Sequence, residues 1–341
     1  MMLKKCGVAM RGLLFIFVLQ VCLLYSPVNL DFAYNDGRTV RELSVENVLT
    51  ARGRKSKIMV FDGAGSAMQL PSSPDPVIVV NSGCTLILKN KRLMGFRPEH
   101  VSLRGTNSKF LLDDGVCIDF EQDVAIDKNF SIAGDVTLNG NGKAITFSGD
   151  GALSVFSGAT CAIKDCLLKG LGDFKMSSGA NASRLMCDDS AHLVLSATRC
   201  MLENSWSFTA GRLHFFADVS MTSTWASFKY LSGAPSDINV NASLSFMGGM
   251  TFNYESRAGA NKFVLLDPSA ALVFHDASLV TGRAGMNVMN GKIFVRGTTT
   301  FNLEKALPSA GLTIVPPVVL TVLSGTNLKV AGLIAHGVTS E

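Results

Sequence analysis

Two carboxyl groups followed by an imidazole, in Cys187-Asp188-Asp189 with His192, are the residues of this sequence best suited to acid–base chemistry. Hydrolysis of a glycosidic bond needs two carboxyl groups flanking it, one protonated and one ionised. β-Elimination needs a base near the sugar's C5 and a cation, often calcium, that acidifies it. If Leu193 and Leu195 face a core, strand alternation turns His192 outward with Val194, above the two acids. Three further polar pairs, Lys89-Asn90, Lys164-Asp165 and His275-Asp276, each follow a similar apolar strand. Stacked on one another, they would form a stripe of amide, carboxylate and imidazole. A chain leaving a core also needs polar residues, and Asn and Asp suit tight turns, so the pairs have a purely structural reading as well.

Other chemistries lack their residues. Six cysteines follow the first 33 residues: Cys84, Cys117, Cys161, Cys166, Cys187 and Cys200. None forms CxxC and none has zinc spacing with histidine. Several stand where other copies of the strand carry Leu or Ala, which reads as a small buried hydrophobe. Gly63-Ala64-Gly65 lacks the remainder of a phosphate loop. No residue is therefore assigned as catalytic, cofactor-binding or metal-binding, and no cofactor is expected.

The elements that must position these residues are clearest between Ile132 and Leu171. Four strand-like pieces carry the apolar pairs Val136/Leu138, Ile145/Phe147, Leu153/Val155 and Cys161/Ile163. They start at 136, 145, 153 and 161, in steps of 9, 8 and 8 residues, each closed by a Gly or Asn turn. Three strands thus use about 25 residues before the pattern recurs, the content of one coil of a parallel β-helix. The turn–strand unit returns at Asn81–Leu88, Phe156–Ile163, Asp188–Leu195 and Asp267–Phe274, with a shorter relative at Asp114–Phe120. Such units cannot bury a hydrophobic face singly, but stacking buries a continuous one. An antiparallel sandwich would also use short strands, yet tight hairpin signals are few, Asn139-Gly140-Asn141-Gly142 being the best. The aromatics after Trp206 read as stacked core, and the apolar stretch from Gly311 to Gly337 as the last coils.

Composition fits a β-rich chain with a large core: 341 residues, 32 Gly, 47% hydrophobic and only 17% charged. Lys4, Lys5 and Arg11 precede an apolar run from Gly12 to Tyr25, the pattern of a secretory signal. That run is short for a bilayer span, which takes about 20 apolar residues. Export with cleavage between Ser26 and Ala33 is the preferred reading, a retained anchor the other. The net charge of +4 sits partly in the signal and in the basic run Arg52 to Lys57, read as a solvated loop rather than a nucleic-acid patch. Val40, Leu43, Val48 and Leu49 have near-helical spacing, consistent with a cap over the first coil, or with an irregular strand. The Pro/Ser-rich loop Leu70 to Pro76 projects from a coil rather than dividing domains. The expected organisation is a signal peptide over 1–33, a lead-in over 34–57 and one β-helix domain over 58–341.

From Ile58 to Val338 the chain resembles the parallel β-helix, pectin-lyase-like group, on the stretch GNGKAITFSGDGALSVFSGATCAIKDCLLKGL and the repeated SGxTLxL-type strands. It is also similar to secreted bacterial repeat proteins and adhesin passengers. The resemblance implies an all-β, right-handed parallel β-helix with three short strands per coil. It does not fix an activity, since this fold carries lyases, hydrolases, epimerases and adhesins. A polygalacturonase-like set would include NTD, a D-D pair, G-H-G and R-I-K. Only Asp188-Asp189 and a loose Ala335-His336-Gly337 are present. Two functions follow as expectations. One is an exported, non-catalytic structural or adhesive protein binding a surface glycan or a host or envelope protein. The other is a carbohydrate-active enzyme with an atypical site. No nucleic acid, and no membrane span after signal removal, is expected.

A fusion of the first 35 residues is expected to carry a reporter out of the cytoplasm. The intact mass of the mature protein should lack Leu13 to Leu24. A mass that retains this segment would show an uncleaved anchor.

Overall fold

The computed structural model describes residues 49–51, 57–304 and 311–336. The signal peptide, the basic run up to Ser56 and most of the expected cap lie outside these residues. Within the latter, Leu49–Ala51 forms a strand.

Alternation of apolar and polar residues at every second position, broken by turns every eight or so residues, yields short strands that wind into a parallel β-solenoid of about 11 turns. Each turn contributes three strands, one to each of three faces. One coil shows the rule: Asn129–Ile132 lies on the first face, Asp135–Asn139 on the second and Ala144–Phe147 on the third. The next coil places Ala152–Val155 above the first of these. Thr160–Leu171 then covers the other two faces as one bent strand, pairing Val136 with Cys161 and Ile145 with Leu168. The bend falls at Asp165, whose φ is +47°. Asn90, Asn141, Asn241 and Asp276 have the same left-handed backbone at other corners, a conformation that Asn and Asp tolerate better than most residues. Gly140 serves a different need: a Cβ there would collide with the Cys166 side chain of the following coil.

Coil length varies while register is kept. Val116 pairs with Val136 after 20 residues, whereas Thr160 pairs with His192 after 32. The excess is an antiparallel hairpin, Asp173–Lys175 with Asn181–Ser183, looped out of the coil. The ladder of the first face runs unbroken through Ala152–Val155 to Leu185–Cys187. It resumes as a separate ladder at Trp206–Phe208. The second and third faces stay paired across this level.

The core is one continuous column. Leu138, Phe147, Val155, Ile163, Leu195, Leu272 and Phe274 are all buried, as the alternation requires, while Thr137 and Thr146 are half-buried. Ladder register puts like over like. Tyr230 stacks on Tyr254 at 5.6 Å and 12°, and Phe228 on Phe252 at 5.7 Å and 11°. The column ends at Val319–Val322 and Asn327–Ala331, where the core-side residues Val322 and Val330 are 46% and 45% exposed. The Pro/Ser loop stays within its coil, the Ser73 carbonyl meeting His100 Nε2 at 3.0 Å.

The self-similar units fall on different faces. Cys84–Lys89 belongs to the first face, Thr160–Lys164 and His192–Ser196 to the second, and Ala271–His275 to the third. The unit that repeats is a turn plus a strand, a third of a coil, so sequence alone leaves its face undefined.

Replacing Leu138, Ile163 or Phe274 by Ala should destabilise the fold by about 2–5 kcal/mol. Thr137→Ala and Thr146→Ala should cost well under half of that in denaturant titrations. Equal penalties for the two sets would contradict the inward–outward assignment.

Candidate functional site

The acids and bases singled out in the sequence do not converge. Lys89 lies on the first face, where its ammonium meets Asp113 at 2.9 Å, a pairing that raises its pKa. Asn90 turns the corner beside it and donates to the Asp62 carboxylate at 3.1 Å. Lys164-Asp165 sits at the corner between the second and third faces. His275 and Asp276 end a third-face strand, 3.3 Å apart, and Asp276 Oδ1 accepts the Thr298 backbone N–H at 2.7 Å. The stripe expected from stacking these pairs is therefore not formed, because the three strands belong to three faces. Their Asn and Asp residues serve the turn geometry instead.

Asp188 and Asp189 are exposed in the turn before His192. Asp188 Oδ2 accepts the Ser157 backbone N–H at 3.2 Å, and its carbonyl accepts the Ala191 N–H at 3.0 Å. These bonds make Asp188 a turn-building residue between two coils. His336 is exposed at the end of the final second-face strand, several coils beyond His192. Among the described residues no three His, Cys, Asp or Glu side chains gather as a metal centre needs. The six thiols are free; Cys84, Cys161, Cys166 and Cys200 are buried, Cys117 and Cys187 half-buried. Burial pushes Cys166 and Cys187 up to about 12, which leaves both as inert thiols at neutral pH.

Two features stand out that the sequence did not single out. The first is a chain of imidazoles on the second face. His192 Nδ1 lies 2.9 Å from His214 Nε2, and His214 Nδ1 lies 2.7 Å from Asp237 Oδ2. The register explains the meeting: His214 is one coil above Val194 and Asp237 one coil above His214. His192 reaches diagonally across two positions. Long side chains span such diagonals on one face of a sheet.

The second feature is a cleft of about 880 Å³ where the first-face ladder is interrupted. The hairpin forms one side, with Leu185–Asp188 and Asn204–Thr209 forming the others. Asn181, Ser183, Asn204, Thr209 and Lys175 give it a polar lining, and Phe174, Met186 and Phe208 an apolar one. Among the described residues the Ser183 hydroxyl oxygen, buried there, has no hydrogen-bond partner. The hairpin is held firmly. Asp173 accepts the Ser207 N–H at 3.1 Å and its hydroxyl at 2.6 Å. Arg184 stacks over Phe174 at 3.6 Å and donates to the carbonyls of Gly149 and Gly151 at 2.9 and 2.7 Å. Asp150 takes the Ser177 N–H at 2.8 Å and its hydroxyl at 2.5 Å, and these bonds lower its pKa.

Fold and surface together define the class as a parallel β-solenoid. Comparison with protein-family models, curated proteins and solved structures finds no match for this chain.

Because the Asp150 carboxyl is held below its ordinary value, the tie to Ser177 is complete above about pH 3.8 and is lost as pH falls through the lowered value. Asp150→Ala should remove this tie at neutral pH and speed amide exchange at Ser177 severalfold. Exchange unchanged in that variant would show that Arg184 and Asp173 hold the hairpin alone.

Proposed function

We propose that this chain is an exported, non-catalytic β-solenoid of the pectin-lyase-like β-helix group, adhesive or structural in role, whose partner is a surface glycan or a host or envelope protein. The observation carrying this reading is the dispersal of Asp165, Asp188, His192, His275 and Asp276 over two faces, the turns beside them and several coils. Glycoside hydrolysis and β-elimination both need their groups around one bond. The faces themselves are long parallel ladders with outward rows such as Ser220, Ser245 and Thr222, suited to extended contact.

A glycan is the ligand that the cleft at the hairpin favours. Amides and hydroxyls there match sugar hydroxyls, Phe174 and Met186 match the apolar faces of the ring, and the volume suits a few sugar units. A second reading, a carbohydrate-active enzyme with an atypical site, is favoured by one observation, the His192–His214–Asp237 chain, which gives His192 an oriented imidazole.

A panel of acidic and neutral polysaccharides, with and without calcium, separates the two. Wild type, His192→Ala and Asp188→Asn should show no turnover. Immobilised glycans should retain wild type and lose it in an Asn181→Ala/Asn204→Ala variant. Turnover abolished by either single substitution, with folding intact, would establish the enzyme and overturn the binding role.

A further inference from the structure

We propose that His192, His214 and Asp237 form a proton-binding clamp across three successive coils, closed with no or one added proton and opened by the second. The proposal does not rest on the binding role above. It rests on hydrogen-bond directions.

Asp237 as a carboxylate can only accept, so His214 Nδ1 carries a proton. In the neutral pair His214 Nε2 is then a lone pair, and His192 Nδ1–H donates to it at 2.9 Å. The two ring planes are 9° apart and their centroids 5.0 Å apart. That separation exceeds the N···N distance by roughly two ring radii, so the rings meet edge to edge, as an in-plane lone pair requires. Among the described residues, His192 Nε2 is the unprotonated ring nitrogen of the pair that has no partner.

A first added proton goes to that nitrogen and breaks nothing. His192 then donates Nδ1–H as a cation, His214 stays neutral between the two, and Asp237 balances the charge. Moving the proton onto His214 leaves the same bonds with the central donor reversed. A second proton is different, because both facing nitrogens then carry hydrogen. Two imidazolium rings with N–H groups opposed at this distance repel, and the link between the coils of His192 and His214 is lost. The two protons are coupled and belong to the pair, not to either ring.

The surroundings set where the steps fall. Thr160 and Arg212 flank His192 along its row, with Asp135 one strand further on. Val194 and Asp237 flank His214, and Ala162 and Lys164 complete the packed strand below. Burial, then His214 and Arg212, hold the His192 pKa below the ordinary histidine value, against the opposing pull of Asp135 and Asp237. A lowered imidazole stabilises the fold fully above the unfolded value near 6.5, and that contribution falls as pH drops through the lowered one. The first proton is therefore taken up below the ordinary histidine value and the second, which opens the clamp, at lower pH again, so the clamp is closed at neutral pH.

The test uses the full chain with ¹⁵N-labelled histidine, followed by NMR from pH 8 to pH 4. The N–H proton between His192 Nδ1 and His214 Nε2 should survive the first protonation step of the pair and vanish in the second, while the His214 Nδ1–H held by Asp237 persists through both. After the second step the amides of Arg212–Phe215 should exchange about tenfold faster relative to their intrinsic rates, the effect of losing one hydrogen bond to a charged group. Asp237→Asn should move the first step to lower pH. His214→Gln should reduce His192 to a single step and abolish the acid loss of amide protection. Loss of the N–H proton between the two rings in the first step would overturn the clamp, as would amide protection that stays constant through both steps.

Discussion

The structure depends on one constraint: each coil must lie in register on the coil before it, about 4.8 Å away, so that every backbone group on a face is paired. Parallel pairing then fixes side chains as well as backbone. A residue stands over its partner coil after coil, and any inward position becomes part of a column. Phe228 over Phe252 and Tyr230 over Tyr254 follow from this rule, as does Cys161 between Val136 and Leu193. The hydrophobic gain comes from the column, since a single coil buries nothing by itself. Changes in coil length are tolerated only where they leave register intact, and the looped-out hairpin at Asp173–Ser183 meets that condition.

The same rule governs chemistry on the outside. Outward residues form rows, and a row brings together groups that are 20 to 32 residues apart in sequence. His214 and Asp237 meet because they share a row, and His192 joins them along a diagonal. Asp188 and His192 are neighbours in sequence, yet they divide between a turn and a face, and Asp188 is occupied with the coil below. Where the insertion interrupts the first-face ladder, the surface gains a concavity that the flat faces lack. Repetition supplies the scaffold, and the break in repetition supplies the cleft.

Much of the fold was legible because its period is short and its signals local. Alternation at Val136/Leu138 or Leu272/Phe274 identifies inward residues without knowledge of any partner strand. The turn role of Asn90, Asp165 and Asp276 was legible for the same reason, being a property of residue type and position in a turn. The face of each strand was not legible. Three strands of equal length and pattern make one coil, so a self-alignment displaced by one strand scores as well as one displaced by a whole coil. Asn81–Leu88 and Phe156–Ile163 matched in this way although they stand on different faces. His214 and Asp237 escaped notice because neither lies in a recurring unit. Their one signal was an outward position two residues past the level of His192 on succeeding coils, which needs the register to be seen. The hairpin was hidden within the 32-residue coil, whose extra length showed in sequence only as uneven spacing.

Distances along one outward row test the in-register stack most directly. Arg199, Ser220, Ser245, Val273, Phe294 and Thr321 occupy one position on six successive coils of the third face. With one spin label fixed at residue 199 and the second moved in turn to 273, 294 and 321, electron–electron resonance should give separations that rise by about 4.8 Å per coil. Backbone separations of roughly 14, 19 and 24 Å, in that order, are the predicted result. Separations that fail to increase from 273 to 321 would contradict the stack, and with it the assignment of every row and column that depends on it.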